Sequence, residues 1–323
     1  MKNLCWLATG GTIASRPSSN GLVPGFTAQE MLDMLPELKK YGNIDCYDIM
    51  NLDSTNLQPH DWQFIARCIE KYYTQYDGFV ITHGTDTLSW TSCALSCMLE
   101  NPAKPIVVIG SQFTLEEENT DAKENLNAAF AATASKLRGV YAVCGGQIIS
   151  GLWAKKIYSE DLRSIQSVNM PPVATFCGSN ITWSDFVCPP AVDEFKVHYE
   201  LEEKVAQVKI MPGLDGEILA ALADLGYKGI VLEAYGAGGI PFSENENKNI
   251  DSAVKRLTEQ GIVCVCVTQC LYDGVHMNRY EVGIKAVEAG IIPAGKYSAE
   301  AATVKLMTAL GRKMTFDQIK QLF

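Results

Sequence analysis

The amino-acid sequence predicts two α/β domains, each built on a parallel β-sheet flanked by helices. Length is the first observation, because 323 residues exceed one typical compact domain and suit two. Second, short continuous apolar runs alternate with stretches of helical periodicity, a pattern typical of buried parallel strands joined by helices. Third, 47% hydrophobic and 20% charged residues are ordinary values for a globular chain that can bury a sizeable core.

The N-terminal block, residues 1–180, contains four apolar runs that predict strands and three amphipathic or Ala-rich stretches that predict helices. The strands are expected over Leu4–Ala8, Gly78–Thr82, Ile106–Ile109 and Val140–Ile149. The helices are expected over Asp61–Tyr76, Leu88–Leu99 and Lys123–Leu137. Apolar side chains recur at helical spacing in the first helix, and Asn101-Pro102 ends the second.

A linker is predicted over residues 181–204, because Cys188-Pro189-Pro190 and a run of mixed charges interrupt the alternation of strands and helices.

The C-terminal block, residues 205–323, repeats this alternation. Its strands are expected over Val205–Met211, Gly229–Ala234 and Gly261–Thr268. Its helices are expected over Glu217–Leu225, Ile250–Gln260, Ala299–Leu310 and Phe316–Leu322. Thr315 and Gln318 form a capping-box pattern before the last helix.

Charge and cysteine content exclude several classes of function. A net charge of -10, a pI near 5.0 and the lack of a basic stripe argue against nucleic acid as a partner. The 11 cysteines are odd in number, dispersed through apolar stretches and contain no CxxC pair, which indicates buried thiols in a reducing compartment. The apolar run after Met1 is too short for a signal peptide or a membrane span. A cytoplasmic location without membrane association is therefore expected.

Hydroxyl-bearing residues follow three of the predicted strands. Ligands of open parallel sheets bind at the carboxyl ends of the strands, so these loops are the first places to look for a site. The three segments are Thr9-Gly10-Gly11-Thr12-Ile13-Ala14-Ser15, Thr82-His83-Gly84-Thr85-Asp86-Thr87 and Gly110-Ser111-Gln112. If the strands are neighbours in the sheet, the loops open onto one crevice.

Thr12 is a candidate nucleophile. The two glycines before it allow a sharp turn that presents a small side chain at a strand end. The turn-forming segment Arg16–Gly25 that follows could act as a lid that excludes water. The alternative interpretation is that Gly-Gly-Thr is only a turn.

Thr85 and Asp86 carry two competing interpretations. Asp86 or Thr87 could cap the following helix, a stabilisation of about 1 kcal/mol. Alternatively, Thr85 and Asp86 could help to activate a nucleophile, because a threonine hydroxyl reacts poorly until a neighbouring group takes its proton.

His83 is expected to have a structural, hydrogen-bonded role. With only four histidines no metal site is expected, and Gly236–Pro241 lacks the third glycine of a dinucleotide-binding loop.

Together, Ala8-Thr9-Gly10-Gly11-Thr12-Ile13-Ala14 and Ile81-Thr82-His83-Gly84-Thr85-Asp86-Thr87 resemble the two sequence motifs of the bacterial-type L-asparaginase family. The resemblance extends over essentially the whole chain and is strongest to the cytoplasmic, type I branch. It implies a larger N-terminal parallel-sheet (flavodoxin-like) catalytic domain and a smaller C-terminal α/β domain. It also implies hydrolysis of L-asparagine to L-aspartate and ammonia, without a cofactor.

The resemblance implies a role for each matching position. Thr12 matches the nucleophile that forms an acyl-enzyme, and Thr85 matches the second catalytic threonine. Asp86 matches the acid that binds the substrate ammonium group. The family lysine precedes an Ser167-Val168-Asn169-like segment, and the spacing selects Lys156, with the adjacent Lys155 as its alternative. The expected substrate-binding residues, besides Thr85 and Asp86, are Asp53, Ser54, Ser111 and Glu281.

The resemblance further implies a homodimer or homotetramer in which Glu281 reaches the site of a neighbouring subunit. The sequence departs from the family pattern at Leu22, where many members carry a lid tyrosine, and at Gly239, where an asparagine is often found. Cys270 lies where some type I relatives have an effector pocket, so allosteric regulation is a further hypothesis.

Three alternatives remain open from the sequence. The first is a glutaminase-asparaginase, because one methylene group changes selectivity by only about 1–3 kcal/mol. The second is the amidase subunit of a tRNA-dependent amidotransferase, which usually has an extra N-terminal domain, whereas this chain starts directly at the first strand. The third is an amino-acid-binding protein that has lost catalysis, which the change at Leu22 motivates.

Overall fold

A computed structural model describes residues 1–19, 21–185, 193–241 and 250–323. The chain divides into two compact units, Met1–Tyr199 and Glu200–Phe323, and each contains its own β-sheet. The predicted class, α/β with a larger N-terminal sheet and a smaller C-terminal one, is confirmed.

The N-terminal unit alternates strands and helices in the order expected for a crossover fold. Its strands are β1 Asn3–Gly10, β2 Ser15–Ser18, β3 Gly21–Pro24, β4 Asn43–Leu52, β5 Gly78–Thr82, β6 Leu99–Glu100, β7 Pro105–Ile109, β8 Gly139–Cys144, β9 Gln147–Ser150, β10 Ala154–Lys156, β11 Ile165–Ser167, β12 Ala174–Cys177, β13 Asn180–Trp183 and β14 Lys196–Val197. Its helices are α1 Ala28–Met34, α2 Pro59–Tyr72, α3 Leu88–Met98 and α4 Ala122–Ala134.

Eight strands form the main sheet in the order β13-β12-β9-β8-β7-β5-β1-β4. The five neighbouring strands β8, β7, β5, β1 and β4 run parallel to one another. Strands β9, β12 and β13 extend the sheet, and each pairs antiparallel with the preceding strand of this sheet. Strand β1 lies between β4 and β5, so the predicted neighbourhood of the first two loops is confirmed. Burial of Trp6 edge-on against Phe130, with ring centroids 5.2 Å apart, packs α4 onto one face of the sheet.

One strand prediction in this unit needs correction, and one long strand was missed. The single strand expected over Val140–Ile149 is the hairpin β8–β9, because Gly145 and Gly146 both adopt positive φ and form a tight two-residue turn. Strand β4 was not predicted, because it lies at the sheet edge and alternates exposed with partly buried residues instead of forming a continuous apolar run.

Parts of the predicted linker belong to regular structure. Residues 181–183 form most of β13, and β14 pairs with β6 through Lys196 and Val197. Cys188-Pro189-Pro190 lies outside the described residues. The domain boundaries at 180 and 205 stay a prediction.

The C-terminal unit has a parallel sheet in the order β15-β16-β17-β18. The strands are β15 Val205–Lys209, β16 Gly229–Ala234, β17 Val263–Thr268 and β18 Ile292–Pro293, and the helices are α5 Glu217–Asp224, α6 Ile250–Glu259, α7 Glu281–Glu288, α8 Ala299–Gly311 and α9 Phe316–Leu322. Alternate residues of β16 enter separate cores, Ile230 and Leu232 on one face and Val231 on the other, so helices cover both faces. The capping box of Thr315 and Gln318 is confirmed.

None of the helices in the described part of the chain combines the length and the apolar character that crossing a membrane requires.

Candidate active site

The loops after β1, β4 and β5 meet at the carboxyl edge of the N-terminal sheet. Gly11, at φ 84°, packs directly against the backbone of Gly84, and a Cβ atom on Gly11 would collide with the Gly84 amide nitrogen. A Cβ atom on Gly84 would lie 2.5 Å from Ser54 Oγ, in the loop after β4. Glycine at both positions therefore allows three loops to come into direct contact.

A small cavity of about 170 Å³ opens where these loops meet. The residues that line it come from all three strand ends and include most of the predicted site: Gly11, Thr12, Ser15, Leu52, Asp53, Ser54, Gly84, Thr85 and Asp86. Because the lining is rich in hydroxyl and carboxylate groups, the cavity suits a small polar molecule.

Thr12 is the first residue of a short 3₁₀ helix, Thr12–Ala14, and is half-buried. The hydroxyl of Ser15 donates to the Gly11 carbonyl at 2.9 Å and stabilises this turn. The segment predicted as a lid forms the antiparallel pair β2–β3, in which the backbone of Leu22 pairs with Pro17. Asn20 and the Leu22 side chain lie outside the described residues, so the part of the lid hypothesis that concerns them stays a prediction.

Lys156 connects Thr85 and Asp86, which lie in the loop after β5. Its Nζ atom donates to Thr85 Oγ1 at 2.8 Å and to Asp86 Oδ1 at 2.6 Å. Strand β10 supplies this lysine through its antiparallel pairing with β11. Because side chains alternate along a strand, Lys155 and Lys156 project to opposite faces, and Lys156 is the lysine that contacts Thr85.

Gln112, which was not among the predicted site residues, completes this network. The Thr85 hydroxyl donates to Gln112 Oε1 at 3.1 Å, and Gln112 Nε2 donates to the Ser159 carbonyl at 2.8 Å. The available signal was its position directly after β7, because β7 adjoins β5 in the sheet.

Asp53, Ser54 and Ser111 also lie at this edge, and each makes structural contacts. Asp53 Oδ1 accepts from the amide and hydroxyl of Thr55, both at 2.9 Å, and so caps a short 3₁₀ helix. Ser54 is almost fully buried, and its carbonyl accepts from Thr87 Oγ1 at 2.8 Å. The buried Ser111 hydroxyl donates to the Phe113 carbonyl at 2.6 Å.

Glu281 is the first residue of α7 in the C-terminal unit, and its side chain is 79% exposed. Lys285 Nζ donates to its carboxylate at 2.7 Å, and this hydrogen bond lowers the pKa of Glu281. The cavity lining therefore contains the predicted Thr12, Thr85, Asp86, Asp53 and Ser54, whereas Glu281 belongs to the other unit.

His83, in the loop after β5, is fully buried and belongs to a chain of hydrogen bonds. A carbonyl can only accept, so His83 Nδ1 donates to the Gly84 carbonyl at 2.7 Å. Trp62 Nε1 donates to Thr91 Oγ1 at 3.1 Å, and Thr91 in turn donates to His83 Nε2 at 2.8 Å. Burial lowers the pKa of His83 to about 4, so the ring is neutral at physiological pH. The expected structural role of His83 is confirmed.

Comparison with known proteins places the whole chain in a defined group. The family model described as "Asparaginase, N-terminal" matches residues 3–186, and the model described as "Glutaminase/Asparaginase C-terminal domain" matches residues 204–323. The chain is 39% identical over 319 residues to the L-asparaginase of Thermococcus kodakarensis, covering 98% of this chain and 95% of that protein. It is 32% identical to a subunit of the glutamyl-tRNA(Gln) amidotransferase of Pyrococcus abyssi, over 98% of this chain and 74% of that protein.

Solved structures agree with these matches. The thermostable L-asparaginase from Thermococcus kodakarensis superposes with a TM-score of 0.90, covering 99% of this chain and 96% of that one. L-asparaginase I from Vibrio cholerae superposes with a TM-score of 0.87 at 29% identity, covering 99% of this chain and 96% of that one.

Proposed function

The chain belongs to the asparaginase family, and from this premise we propose that it hydrolyses the side-chain amide of L-asparagine to L-aspartate and ammonia. The observation that carries the proposal is the contact of Lys156 with both Thr85 and Asp86, at 2.8 and 2.6 Å, beside a cavity that Thr12 also lines. Nucleophile, proton acceptor and carboxylate are the groups that amide hydrolysis of an amino acid needs.

Thr12 is the proposed nucleophile of a covalent acyl-enzyme. Its hydroxyl attacks the amide carbon while its proton passes to Thr85 Oγ1, and the Thr85 proton passes to a neutral Lys156 amine. Lys156 then returns a proton through Thr85 to the amide nitrogen, the C–N bond breaks and ammonia leaves. Water attacks the acyl-enzyme in the same way, its proton returns to the Thr12 oxygen, and aspartate is released. Backbone N–H groups near the start of α3 are suited to stabilise the negatively charged oxygen that develops during both steps.

Asp86 is the proposed partner of the substrate ammonium group, with Ser54 at the α-carboxylate and the Ser111 backbone at the amide. Asp53 is a further proposed substrate-binding residue. The Asp86 side chain is 54% exposed, so it can contact a bound molecule while Lys156 holds one of its oxygens. Such a charge-assisted bond contributes about 1.5–3 kcal/mol. We expect no cofactor.

A neighbouring subunit is proposed to complete the site with Glu281, in a homodimer or homotetramer of cytoplasmic location. The 79% exposure of this side chain leaves it accessible to another subunit. Light scattering together with activity assays over a dilution series tests this proposal. A fully active monomer would refute it.

The second candidate is a broader activity on glutamine, alone or as part of an amidotransferase. The similarity to the amidotransferase protein of Pyrococcus abyssi is the observation that favours it. Asparagine and glutamine differ by one methylene group, which is worth only about 1–3 kcal/mol in selectivity.

Ammonia release from asparagine and from glutamine, measured side by side as kcat/KM, separates these functions. We expect asparagine to be preferred by about 10-fold or more. Equal values would support the broader activity. No turnover of either amino acid, with binding retained in calorimetry, would instead support an amino-acid-binding protein that has lost catalysis.

A further inference from the structure

The directions of the hydrogen bonds around Thr85 are fixed by groups that can only accept or only donate. The Ser159 carbonyl only accepts, so Gln112 presents Nε2 to it and Oε1 to Thr85. An amide oxygen cannot donate, and the Thr85 proton therefore points towards Gln112. The Lys156 ammonium group has no acceptor, so it donates to the same hydroxyl from its other side.

Gln112 is held in this orientation by its backbone as well as by its side chain. The amide groups of Gln112 and Phe113 donate to the Asp121 carboxylate at 3.1 and 3.0 Å. The Asn125 side chain donates both to Asp121 and to the Gly110 carbonyl, each at 2.9 Å. The loop after β7 is therefore fixed at its start and at its centre, and the Gln112 amide is pre-organised.

We propose that Gln112 is a positioning residue that holds the Thr85–Lys156 relay in its resting state. It does so by accepting a hydrogen bond from the Thr85 hydroxyl while Lys156 is charged. The inference rests on the proposed function, because it concerns the relay that would activate Thr12.

Activation requires the Thr85 proton to turn away from Gln112. As Thr12 loses its proton, a new O–H bond forms on Thr85 Oγ1, the old Thr85 O–H bond breaks, and an N–H bond forms on neutral Lys156. The Thr85 hydroxyl can therefore donate its hydrogen bond either to Gln112 or to neutral Lys156. Because it donates to Gln112 only while Lys156 is charged, this hydrogen bond stabilises the charged lysine relative to the neutral amine.

Substrate binding would weaken the interactions that favour the charged form of Lys156. Asp86 holds the Lys156 ammonium group at 2.6 Å, and a substrate ammonium group that takes over this carboxylate weakens the ion pair. The Thr85–Gln112 hydrogen bond then remains as the interaction that opposes proton transfer from Thr85 to Lys156.

Two substitutions at Gln112 are expected to move the acid limb of the kcat/KM profile in opposite directions. Gln112→Met keeps the side-chain length but removes the acceptor, so the limb should move down by about half a unit to one unit, the effect of one hydrogen bond. Gln112→Glu places a carboxylate near Lys156, and the limb should move up. Gln63→Met is the matched control, because Gln63 donates to the Tyr199 carbonyl at 2.7 Å in the same way, away from the cavity.

Trace acetylation of Lys156, followed by peptide mass spectrometry across pH, reports the neutral amine without any need for turnover. Half-maximal labelling should shift down in Gln112→Met, shift up in Gln112→Glu and stay in place in Gln63→Met. Identical labelling and identical acid limbs in all proteins would overturn the role of Gln112. If labelling shifts as expected but wild-type protein releases no ammonia, the proposed function fails while the role of Gln112 in the network stands.

Discussion

At the scale of single residues, the Thr85 hydroxyl is the centre of the candidate site. It accepts from Lys156 at 2.8 Å and donates to Gln112 at 3.1 Å, while its residue lines the cavity that contains Thr12. A hydroxyl has one proton and two lone pairs. These two hydrogen bonds therefore leave one lone pair, which can accept a hydrogen bond from the hydroxyl of a nucleophile. Thr85 is therefore suited to pass a proton onward.

Removing either threonine hydroxyl should lower turnover strongly without unfolding the protein. Thr12→Ala removes the proposed nucleophile, and Thr85→Val removes the relay while keeping the side-chain shape. We expect kcat to fall by at least about 10²–10⁴-fold in each, the scale of acid–base assistance. Ammonia release measures the effect, and circular dichroism checks the fold.

The matched control for these variants is Thr182→Ala, the same chemical change at an exposed position of β13. It should retain the activity of the wild type. Near-normal activity of Thr12→Ala would show that the assignment of the nucleophile is wrong.

The buried His83 ring predicts a pH dependence of stability. In the unfolded chain the imidazole takes up a proton below its ordinary pKa of 6.5, whereas burial delays protonation in the folded protein to about 4. Between these values the unfolded state binds more protons. The free energy of unfolding should therefore fall as the pH is lowered from 6.5 to 4, by about 3 kcal/mol from this group, and be unaffected by it above 6.5.

Denaturant unfolding between pH 4.5 and 7.5 measures this contribution as the difference in slope between wild type and His83→Gln. His60→Gln is the matched control, because it makes the same chemical change at an imidazole that is 72% exposed. Parallel curves for wild type and His83→Gln would contradict the buried, neutral state of His83.

Residue assignments that depended on local pattern could be made from the sequence, but those that depended on distant contacts could not. Thr12, Thr85 and Asp86 stand at strand ends in glycine-containing loops, and all three line the cavity. Spacing alone left Lys155 and Lys156 as alternatives. Gln112 was missed, because its contact with Thr85 joins residues 27 positions apart.

At the scale of elements, the close packing of loops decides the geometry of the candidate site. The loop after β1 touches the loop after β5 at Gly11 and Gly84, and the latter touches the loop after β4 at Ser54. The first contact joins the loops of neighbouring strands, and the second spans the end of β1, which lies between β5 and β4 in the sheet.

Gly84→Ala should damage both the candidate site and the fold, because the added methyl group would lie 2.5 Å from Ser54 Oγ and 2.8 Å from its Cβ. We expect a loss of stability of about 1–3 kcal/mol from overpacking. A shift of Ser54 by a fraction of an ångström should also lower kcat/KM, by up to about 10²-fold. Thermal unfolding and steady-state kinetics measure the two effects.

Gly261→Ala provides the contrast. Gly261 has a φ of 80° but has open space around its Cβ position, so this variant tests backbone strain without a collision. It should lose about 1 kcal/mol of stability and keep its activity. Equal kinetic effects in both variants would argue against the packing explanation.

At the scale of the whole molecule, both units contain buried cysteines, which make up five of the ten described. None of the ten cysteines in the described residues forms a disulfide, and burial raises the pKa of the Cys144, Cys264 and Cys266 thiols to about 12. A buried thiol that stays protonated is a poor nucleophile. These residues therefore contribute packing and not redox chemistry.

Labelling of the native protein with a thiol reagent should be restricted by this burial. Among the described cysteines, the exposed Cys177 and Cys270 should react first, whereas Cys5, Cys144, Cys264 and Cys266 should react only after denaturation. Peptide mass spectrometry identifies the sites. Rapid native labelling of Cys264 or Cys266 would contradict the described packing of β17.

The sequence by itself determined the α/β class, most of the buried strands and the loops that hold Thr12, Thr85 and Asp86, because periodicity and turn residues act over a few neighbouring positions. Only the tertiary structure decided the hairpin at Gly145-Gly146, the edge strand β4 and the contacts of Lys156 and Gln112 with one hydroxyl. Lys156 and Thr85 are 71 positions apart. A contact across that distance depends on strand order and on which face of a strand each side chain occupies, and local pattern specifies neither.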